Sequence, residues 1–467
     1  MKRLVLGAAL AALALLAAGW KSLLPPSIPV PAVRDREIAP VTVLNPRKPP
    51  LPNRRLVITG GRIASLEEAR AGRAGEERFV TPGLIDMHAH LPPWYAPGQR
   101  DLFLALFLLH GVTSMRDAGS LDGRTFALAR EIAAGEVAGP RVFGCGRWLD
   151  GDPKAWPMAR SVRDSTEAIA QVAALSHEAV CVKALSGVSP SVRDALREAA
   201  HRRGLSLIGH LPLQSPFAEW RLDEIEHVCD PHCWRLGPSE RDELVRTARE
   251  HRIAHTPTLV VYDRQLAMYA GDPRVTPAVA LLPRVWSEVI WNRRYRLGFD
   301  MPPVDPRQSQ RRAHEAMFEM IQETVSALHR AGVPIYAGSD VLNPMVVPGD
   351  GLQRELALLV GSGLTNDEAW RAATSLPAQQ FGIEGLGTIA VGAPADLLIF
   401  SRNPVDDLGA LSSLEAVIVG GRYYDVPELR RGIDAQLEHF ARWPYDWLSM
   451  GVTRAILESI ARGAGDE

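Results

Sequence analysis

The chain has 467 residues and a formal net charge of −2, with 52 Lys plus Arg against 54 Asp plus Glu. This length supplies enough apolar surface for one large enzyme domain and a smaller companion domain. The balanced charge provides no field that would attract phosphate backbones or anionic lipid, so nucleic acid is excluded as an expected partner.

The N-terminal residues have the composition of an export signal. Residues 1–3 are positively charged, and residues 4–18 form an apolar run that ends in Ala-Ala-Gly. These small residues favour cleavage by a signal peptidase, and the run is also close to the lower length limit of a membrane anchor. Residues 1–20 are therefore predicted to be a signal peptide or a membrane anchor. The protein is expected to be exported, either periplasmic or secreted.

Short strand patterns occur near both ends of the chain. Residues 21–53 contain nine prolines and little periodicity, which predicts a linker without a core. Residues 55–63 are typical of two strands around a Gly-Gly turn, and residues 386–425 again show short strands separated by turns.

Between these ends, apolar runs alternate with helical patterns, which is typical of repeated βα units and a parallel sheet. One predicted helix, 191–203, follows a Ser-Pro start and ends before Gly204. Eight strands are expected, and this number favours a closed barrel. The candidate strands are 84–90, 112–117, 141–145, 179–184, 205–210, 224–228, 255–261 and 334–340.

The connection between the last two candidate strands is roughly 70 residues long, far more than a normal βα connection. It is predicted to be an inserted helical region that contains Trp286, Trp291 and Tyr295. The insertion is either a lid over the site or a set of helices on the barrel exterior. Residues 426–467 are predicted to form two further helices, broken at Pro444, that pack on the outside of the barrel.

Four cysteines are too few for a disulfide framework, even in an exported protein. They are Cys145, Cys181, Cys229 and Cys233. The last two are close enough in sequence to pair with each other or to contribute to a small extra metal site. The simplest interpretation for all four is a buried or loop thiol.

Metal-binding side chains occur at the ends of five candidate strands. His88 and His90 are two residues apart in one strand, so their side chains point the same way. Because barrel enzymes hold their chemistry at the carboxyl ends of the strands, all of these side chains are expected to converge. Each alone has a simpler interpretation as a core histidine, a lysine that reaches solvent or a helix-capping aspartate. The remaining members of the set are Lys183, His210, His227 and Asp340.

Lys183 ends an apolar strand, where a charged ammonium group would face a heavy desolvation cost. Burial favours the neutral amine. With the Thr-Pro-Gly-Leu-Ile-Asp sequence at 81–86, this lysine and the other five residues resemble the amidohydrolase superfamily, specifically its members with two metals bridged by a carboxylated lysine. The resemblance covers roughly residues 56–425.

The resemblance implies a distorted TIM (β/α)8 barrel at 81–385, beside a small β-sandwich formed by 54–80 and 386–425. It implies two divalent metal ions and a carbamate on Lys183. Zinc is the expected ion because imidazoles and carboxylates suit it, and manganese, iron or cobalt are alternatives. The implied ligands are His88, His90 and Asp340 at one metal, His210 and His227 at the other, and Lys183 at both.

In this superfamily the carboxylate at the position of Asp340 also acts as the general base. Residues 112–117, 139–142 and 363–365 are similar to the imidazolonepropionase-related and prolidase-like branch. The implied reaction is hydrolysis of a carbon–nitrogen bond in a small amide, cyclic amide or dipeptide-like substrate. Hydrolysis of a lactone, ester or phosphotriester is an alternative, and so is a secreted binding protein without turnover.

Substrate contacts are harder to place from sequence. Arg116 ends the second candidate strand and Tyr262 follows the seventh, so both are predicted to face the substrate. Relatives often have histidine in the loop after the eighth strand, where this chain has Gly-Asp-Gly-Leu-Gln ending at Gln353. Asp86 shares the inward direction of His88 and is expected either to orient a ligand or to form a structural bond. The sequence leaves substrate, oligomeric state and membrane tethering open.

Overall fold

The computed structural model describes residues 24–70, 77–92, 96–120, 123–152, 154, 159–211, 222–228, 236–270, 277–291 and 308–463. The strands are β1 (Arg36–Val43), β2 (Leu51–Thr59), β3 (Arg62–Glu68), β4 (Phe79–Pro82), β5 (Leu84–Ala89), β6 (Val112–Asp117), β7 (Arg141–Gly144), β8 (Leu149–Asp150), β9 (Arg160–Ser161), β10 (Cys181–Ala184), β11 (Ser206–Gly209), β12 (Glu224–Glu226), β13 (Ala254–Thr256), β14 (Leu397–Phe400), β15 (Leu414–Val419) and β16 (Arg422–Asp425). The helices are α1 (Arg100–Leu109), α2 (Thr125–Ala134), α3 (Ser165–Ala173), α4 (Pro190–Arg202), α5 (Pro238–His251), α6 (Leu259–Ala270), α7 (Gln308–Arg330), α8 (Asp350–Gly361), α9 (Asn366–Ala372), α10 (Ser375–Ala378), α11 (Val426–Ala441) and α12 (Tyr445–Gly463).

The predicted βα region forms two parallel sheets. One has three strands in the order β5-β6-β7, and the other has six in the order β13-β12-β11-β10-β8-β9. Both are lined on the outside by helices such as α1, in which seven consecutive residues from Leu102 to Leu108 are buried. A parallel sheet with buried faces needs continuous apolar strands, and these strands supply them.

A few backbone hydrogen bonds join the two parallel sheets. Val180 N donates to Gly144 O (3.0 Å), which links the segment before β10 to β7. On the other side, residues 334–340 form a bridge from Ile335 to His255 and a hydrogen bond from Met87 N to Ala337 O (3.0 Å). The fold is therefore α/β with parallel sheets, and an eight-stranded ring with continuous pairing stays a prediction.

Strands from both ends of the chain form one mixed sheet of seven strands, in the order β16-β15-β14-β4-β1-β2-β3. Strand β4 joins the two ends, because it pairs with β1 in parallel and with β14 in antiparallel orientation. Side chains such as Val43, Ile58 and Ile399 build a separate apolar core on this sheet. The arrangement of this sheet as a two-layered sandwich stays a prediction.

The predicted linker 21–53 is wrong for its second half. Residues 36–43 are strand β1, and β2 already begins at Leu51. Val41 and Val43 are buried at 3% and 0% exposure. The proline content misled the interpretation because Pro40 lies at a register shift between β1 and β2, where a missing backbone donor is tolerated.

The seventh candidate strand is shorter than predicted. It ends at Thr256, and Leu259 already begins α6, so residues 259–261 are helical. The insertion that follows contacts both helix α1 and the loop after the eighth candidate strand. Trp286 packs against Phe103 of α1 with ring centroids 4.8 Å apart, whereas Trp291 Nε1 donates to Leu342 O (3.1 Å). Tyr295 lies outside the described residues.

Cys145 and Cys181 form a disulfide, with 4.4 Å between their Cα atoms. The prediction of unpaired thiols is therefore wrong for these two residues. They lie 36 positions apart, directly after β7 and at the start of β10, which belong to different sheets and become neighbours only in the folded protein. Cys229 and Cys233 lie outside the described residues.

After the mixed sheet, α11 and α12 follow as the two predicted C-terminal helices. Phe440 of α11 is 2% exposed and packs in the main core, but Trp443 in the connection is 84% exposed. Phe440 is therefore part of the core and Trp443 faces solvent, and the position of this segment on the outside of a barrel stays a prediction. Within the described ranges, no helix is both long enough and apolar enough to cross a bilayer.

Candidate metal centre

The carboxyl ends of the parallel strands bring the predicted ligand residues to one place. His88 lies in β5, Lys183 in β10, and His210 and His227 directly follow β11 and β12. Backbone pairing sets these segments side by side, since Lys183 pairs with Ile208 and Ile208 with Glu224. Parallel strands present their carboxyl ends at the same face, so side chains that are far apart in sequence meet there.

Three residues form a compact group of potential metal ligands. Donor atoms of His88, His90 and Asp340 all lie within 4.8 Å of one another. Asp340 Oδ1 is 3.4 Å from His88 Nε2 and 3.2 Å from His90 Nε2. Two imidazole nitrogens and a carboxylate oxygen at this spacing could hold one divalent cation.

His210 and His227 form a second group beside the first. Their ring centroids are 5.0 Å apart, and the His227 ring is also 5.0 Å from that of His88. Asp340 Oδ2 is 3.8 Å from His227 Nε2, so the same carboxylate faces both groups. The structure therefore brings all the predicted histidines and Asp340 together around one carboxylate.

Left-handed backbone conformations aim two of these side chains. His227 has φ +65° and Asp340 has φ +52°, each directly after its strand segment. Histidine and aspartate tolerate this region better than most residues, yet it still costs energy. The turn directs the side chain toward the centre instead of continuing the alternation of the strand.

Glycine allows the eighth segment to approach β5 this closely. A Cβ placed on Gly338 would lie 2.8 Å from the His88 backbone nitrogen and 2.5 Å from Thr256 Cγ2. Real Cβ atoms do not approach other atoms to this distance, so any larger residue would push Asp340 and His88 apart.

The surroundings of the Lys183 amine indicate whether a cation and a carbamate fit this site. Its side chain is 1% exposed, and no described residue hydrogen-bonds its Nζ atom. Burial lowers the pKa of Lys183 and the nearby Arg116 adds to this effect, while Glu226 and Asp340 oppose it. A buried amine without a partner is costly, whereas a carbamate with a cation would remove the unpaired donor. The donor set therefore fits.

The imidazoles divide into two electrostatic classes. Burial lowers the pKa of His227 to about 3 and that of His210 well below its ordinary value, so both are neutral nitrogen donors. Burial also acts on His90, but hydrogen bonds with Asp117 and Asp340 outweigh it and raise its pKa to about 9. Burial opposes ionisation of Asp340, and the surrounding imidazoles more than compensate, so its pKa is lowered and it stays a carboxylate.

A buried ionic network stands behind His88, and the sequence interpretation missed it. Glu226 Oε2 lies 2.5 Å from His88 Nδ1, which leaves Nε2 directed at Asp340. Arg116 donates to both oxygens of Glu224 (2.6 and 2.7 Å) and to Glu226 Oε1 (2.7 Å). A carboxylate on the second nitrogen of a ligand histidine sets its tautomer and raises its basicity.

The structure gives Arg116 this internal role instead of the predicted contact with substrate. The side chain is 2% exposed, and its Nε donates to Met87 O (2.7 Å), so the donors on Nε, Nη1 and Nη2 all have protein partners. The missed signal was the alternation Glu224-Ile225-Glu226, which points two carboxylates to the same side as Arg116. Two inward acids on one strand require an inward cation on another.

Two further contacts hold the ligand segments in place. Asp86 accepts hydrogen bonds from Ser339 N (2.9 Å), Ser339 Oγ (2.6 Å) and His88 N (3.2 Å), and so joins the segments of His88 and Asp340. Burial raises the pKa of Asp86 to about 7. In the second group, Thr258 Oγ1 lies 2.6 Å from His227 Nδ1.

The remaining predicted substrate residues lie in helices. Tyr262 is a buried residue of the first turns of α6, directly after β13. Gln353 of α8 donates to His110 O (3.0 Å), and His110 lies just before the amino end of β6. The candidate centre lies at the carboxyl ends of the strands, and β6 advances about 3.3 Å per residue from its amino end toward them. Gln353 contacts the opposite end of β6, so the structure does not bring it to the centre.

Comparisons with known proteins identify relatives of this chain in sequence and in fold. The profile of the family described as "Amidohydrolase family" matches residues 79–423. An uncharacterised protein of Mycobacterium tuberculosis is 24% identical over 393 residues, which cover 79% of this chain and 91% of that protein. The structure of bottromycin amidohydrolase has a TM-score of 0.69 at 23% identity, over 87% of this chain and 91% of that chain. A prolidase complexed with N-methylphosphonate-L-proline has a TM-score of 0.63 at 22% identity, over 84% of this chain and 100% of that chain.

Proposed function

Because the chain belongs to the amidohydrolase family, we propose that it hydrolyses a carbon–nitrogen bond in a small amide, cyclic amide or dipeptide-like molecule. The observation that carries the proposal is the buried Lys183 amine, which no described residue hydrogen-bonds, beside the cluster of His88, His90 and Asp340. A binding protein without turnover would have no need to bury an amine at such a cost.

We assign two divalent cations to this centre, with zinc as the first choice. Asp340 would bind one cation together with His88 and His90. His210 and His227, which follow β11 and β12, would bind the second cation. A carbamate formed on Lys183 would contribute to both. When bound, the cations supply Lewis-acid activation of water and of the substrate carbonyl.

Asp340 is the proposed general base and acid. Its lowered pKa keeps it ionised, so it can accept a proton from the attacking water. Its two oxygens face His90 and His227 respectively, which places it between the two groups. From there it can pass the proton to the leaving nitrogen, whose expulsion needs protonation.

The leaving group is assigned from the relatives. The two structures compared above are named as an amidohydrolase and a prolidase, which favours an amide or dipeptide-like substrate. Hydrolysis of a lactone, ester or phosphotriester uses the same groups and remains the second candidate, since activated water attacks any electrophile of suitable shape.

The test uses the purified full chain loaded with zinc and a panel of dipeptides, N-acyl amino acids, lactones and a phosphotriester. We expect turnover of at least one amide and a loss on the order of 10²–10⁴-fold in Asp340→Asn. The matched control is Asp434→Asn, which removes an exposed carboxylate paired with Arg430 on α11. Unchanged turnover in Asp340→Asn would remove Asp340 as the base, and faster hydrolysis of lactones than amides would favour the second candidate.

We also propose that the protein is exported. The apolar run at residues 4–18 supports this proposal, and so does the disulfide between Cys145 and Cys181, because disulfides persist in oxidising compartments. Cell fractionation with thiol alkylation tests it. A cytoplasmic protein with both cysteines reduced would contradict the proposal.

A further inference from the structure

Helix α12 carries apolar side chains on its solvent side. Trp447, Leu448 and Val452 are 69%, 38% and 45% exposed. Its inward side contains the polar residues Ser449 and Thr453, which are 6% and 0% exposed, and the apolar residue Leu457, which packs in the main core. A helix on the surface of a soluble protein normally has polar residues on its outer side, so the apolar outer side of α12 is unusual. The exposed stripe therefore needs a partner other than water.

Trp443 extends this stripe into the connection before α12, and it is 84% exposed. We call Trp443, Trp447, Leu448 and Val452 the tryptophan face. Eight large apolar side chains are exposed among the described residues, and four of them lie within residues 443–452. Concentration of this kind marks an interaction surface, since scattered apolar side chains are normal and clustered ones are not.

The N-terminal chain emerges beside the tryptophan face. Gln436 Nε2 of α11 donates to Pro26 O (2.8 Å), and Ile28 is buried against this helix layer at 5% exposure. A Cβ placed on Gly98 would lie 3.7 Å from Pro25 Cδ and 2.5 Å from the hydroxyl of Tyr445, the first residue of α12. Pro25 and the start of α12 are therefore neighbours.

The distance from this point to the N-terminal apolar run is short. Residues 19–23 separate the run at 4–18 from Leu24, the first described residue. Extended chain spans at most about 3.6 Å per residue, so the run must begin within roughly 20 Å of Leu24. Tyr445, which lies near Pro25, is two residues from both Trp443 and Trp447, so a bilayer that contains the run would lie near the tryptophan face.

We propose that residues 4–18 stay attached as a membrane anchor and that the tryptophan face rests on the phospholipid surface around that anchor. Indole rings prefer the region of the lipid headgroups, where an apolar ring and a polar N–H group are both satisfied. The contact is apolar in character. Arg442 beside the face is paired with Glu438 (3.3 Å), and the net charge of the chain is −2, so anionic lipid is not required.

The test uses the full chain, with Trp20→Phe to silence the tryptophan next to the anchor, bound to phosphatidylcholine vesicles whose acyl chains are brominated near the headgroups. Bromine quenches only tryptophans that reach the lipid. We expect measurable quenching in this parent and a loss of more than half of it in the Trp443→Ser/Trp447→Ser variant. Raising the salt concentration should leave the quenching unchanged, because charge attraction is not involved.

The matched control is Val391→Ser, which removes another exposed apolar side chain (65%) remote in sequence from α12. It should quench like the parent, and equal melting temperatures would show that all variants are folded. Equal quenching in the double variant and the parent would overturn the proposal, as would a mature protein that begins after residue 18. A dimer in detergent that dissociates on Trp447→Ser would also overturn it, by assigning the face to a second copy of this chain.

Discussion

The two histidine groups of the candidate centre lie in different electrostatic surroundings. His88 and His90 contact the carboxylates of Glu226, Asp117 and Asp340, whereas the second nitrogen of His227 faces only the neutral hydroxyl of Thr258. Despite burial, hydrogen bonds with Asp117 and Asp340 raise the pKa of His90 to about 9, whereas burial lowers the pKa of His227 to about 3 and that of His88 well below its ordinary value. The first group thus has three carboxylates around it, whereas the carboxylate of Asp340 is the one that His227 shares with it.

Replacement of Lys183 should have the largest effect on the centre. Lys183→Ala would delete the proposed bridge, and we expect both cations to bind weakly and kcat/KM to fall on the order of 10³-fold. Two measurements check this expectation. Mass spectrometry of the metal ions gives their number per chain, and labelling with ¹³C bicarbonate gives a ¹³C signal if the carbamate is present. A parent protein without a carbamate signal, or a variant that keeps two cations, would contradict the assignment of Lys183.

Replacement of Arg116 tests how much the buried ionic network behind His88 stabilises the protein. Arg116→Met would leave Glu224 and Glu226 buried without their partner, and we expect a loss of about 3–5 kcal/mol in the free energy of unfolding. Arg430→Met is the control, because Arg430 forms an exposed pair with Asp434. Denaturant titration of both variants compares them, and equal stability would mean that the network contributes little.

A pair of milder substitutions compares the two halves directly. Glu226→Gln keeps an acceptor near His88 Nδ1 but removes its charge, and we expect the affinity for one cation to fall about 10–100-fold. Thr258→Val removes a neutral partner from His227 Nδ1, and its effect should be about tenfold or less. Calorimetric titration of metal into the stripped proteins measures both values. A larger loss in Thr258→Val would reverse the comparison.

A buried acid outside both groups, Glu355, gives an effect that depends on pH. Burial raises the pKa of Glu355 to about 8, from an ordinary value of 4.5. Between these values the folded state holds a proton that the unfolded state has released, so stability falls as pH rises through this window, by at most about 1.4 kcal/mol per pH unit. Glu355→Gln can still accept from Val260 N and should remove the decline.

Thermal unfolding between pH 5 and pH 9 compares Glu355→Gln with the parent. The two curves should agree at the acidic end and separate toward the basic end, where the variant is the more stable protein. Parallel curves over the whole range would show that Glu355 does not hold its proton above its ordinary pKa.

The candidate ligands were accessible to sequence interpretation because their pattern is local. The two-residue spacing of His88 and His90 needs only the alternation of a strand, and Lys183 needs only an apolar strand before it. The family named from these motifs is confirmed by its profile over residues 79–423. The predicted helix at 191–203 is observed at Pro190–Arg202, since its start and end signals are also local.

Sequence by itself determined the family and the side chains that end the parallel strands. The tertiary structure alone decided which groups those side chains meet. Arg116 hydrogen-bonds Glu224, which lies 108 positions away in the chain, and Cys145 forms a disulfide with Cys181, which lies 36 positions away. The exposure of Trp443 depends on a surface that no local pattern describes. Periodicity specifies the direction of a side chain within its own element, whereas a partner is set by the packing of distant elements against one another.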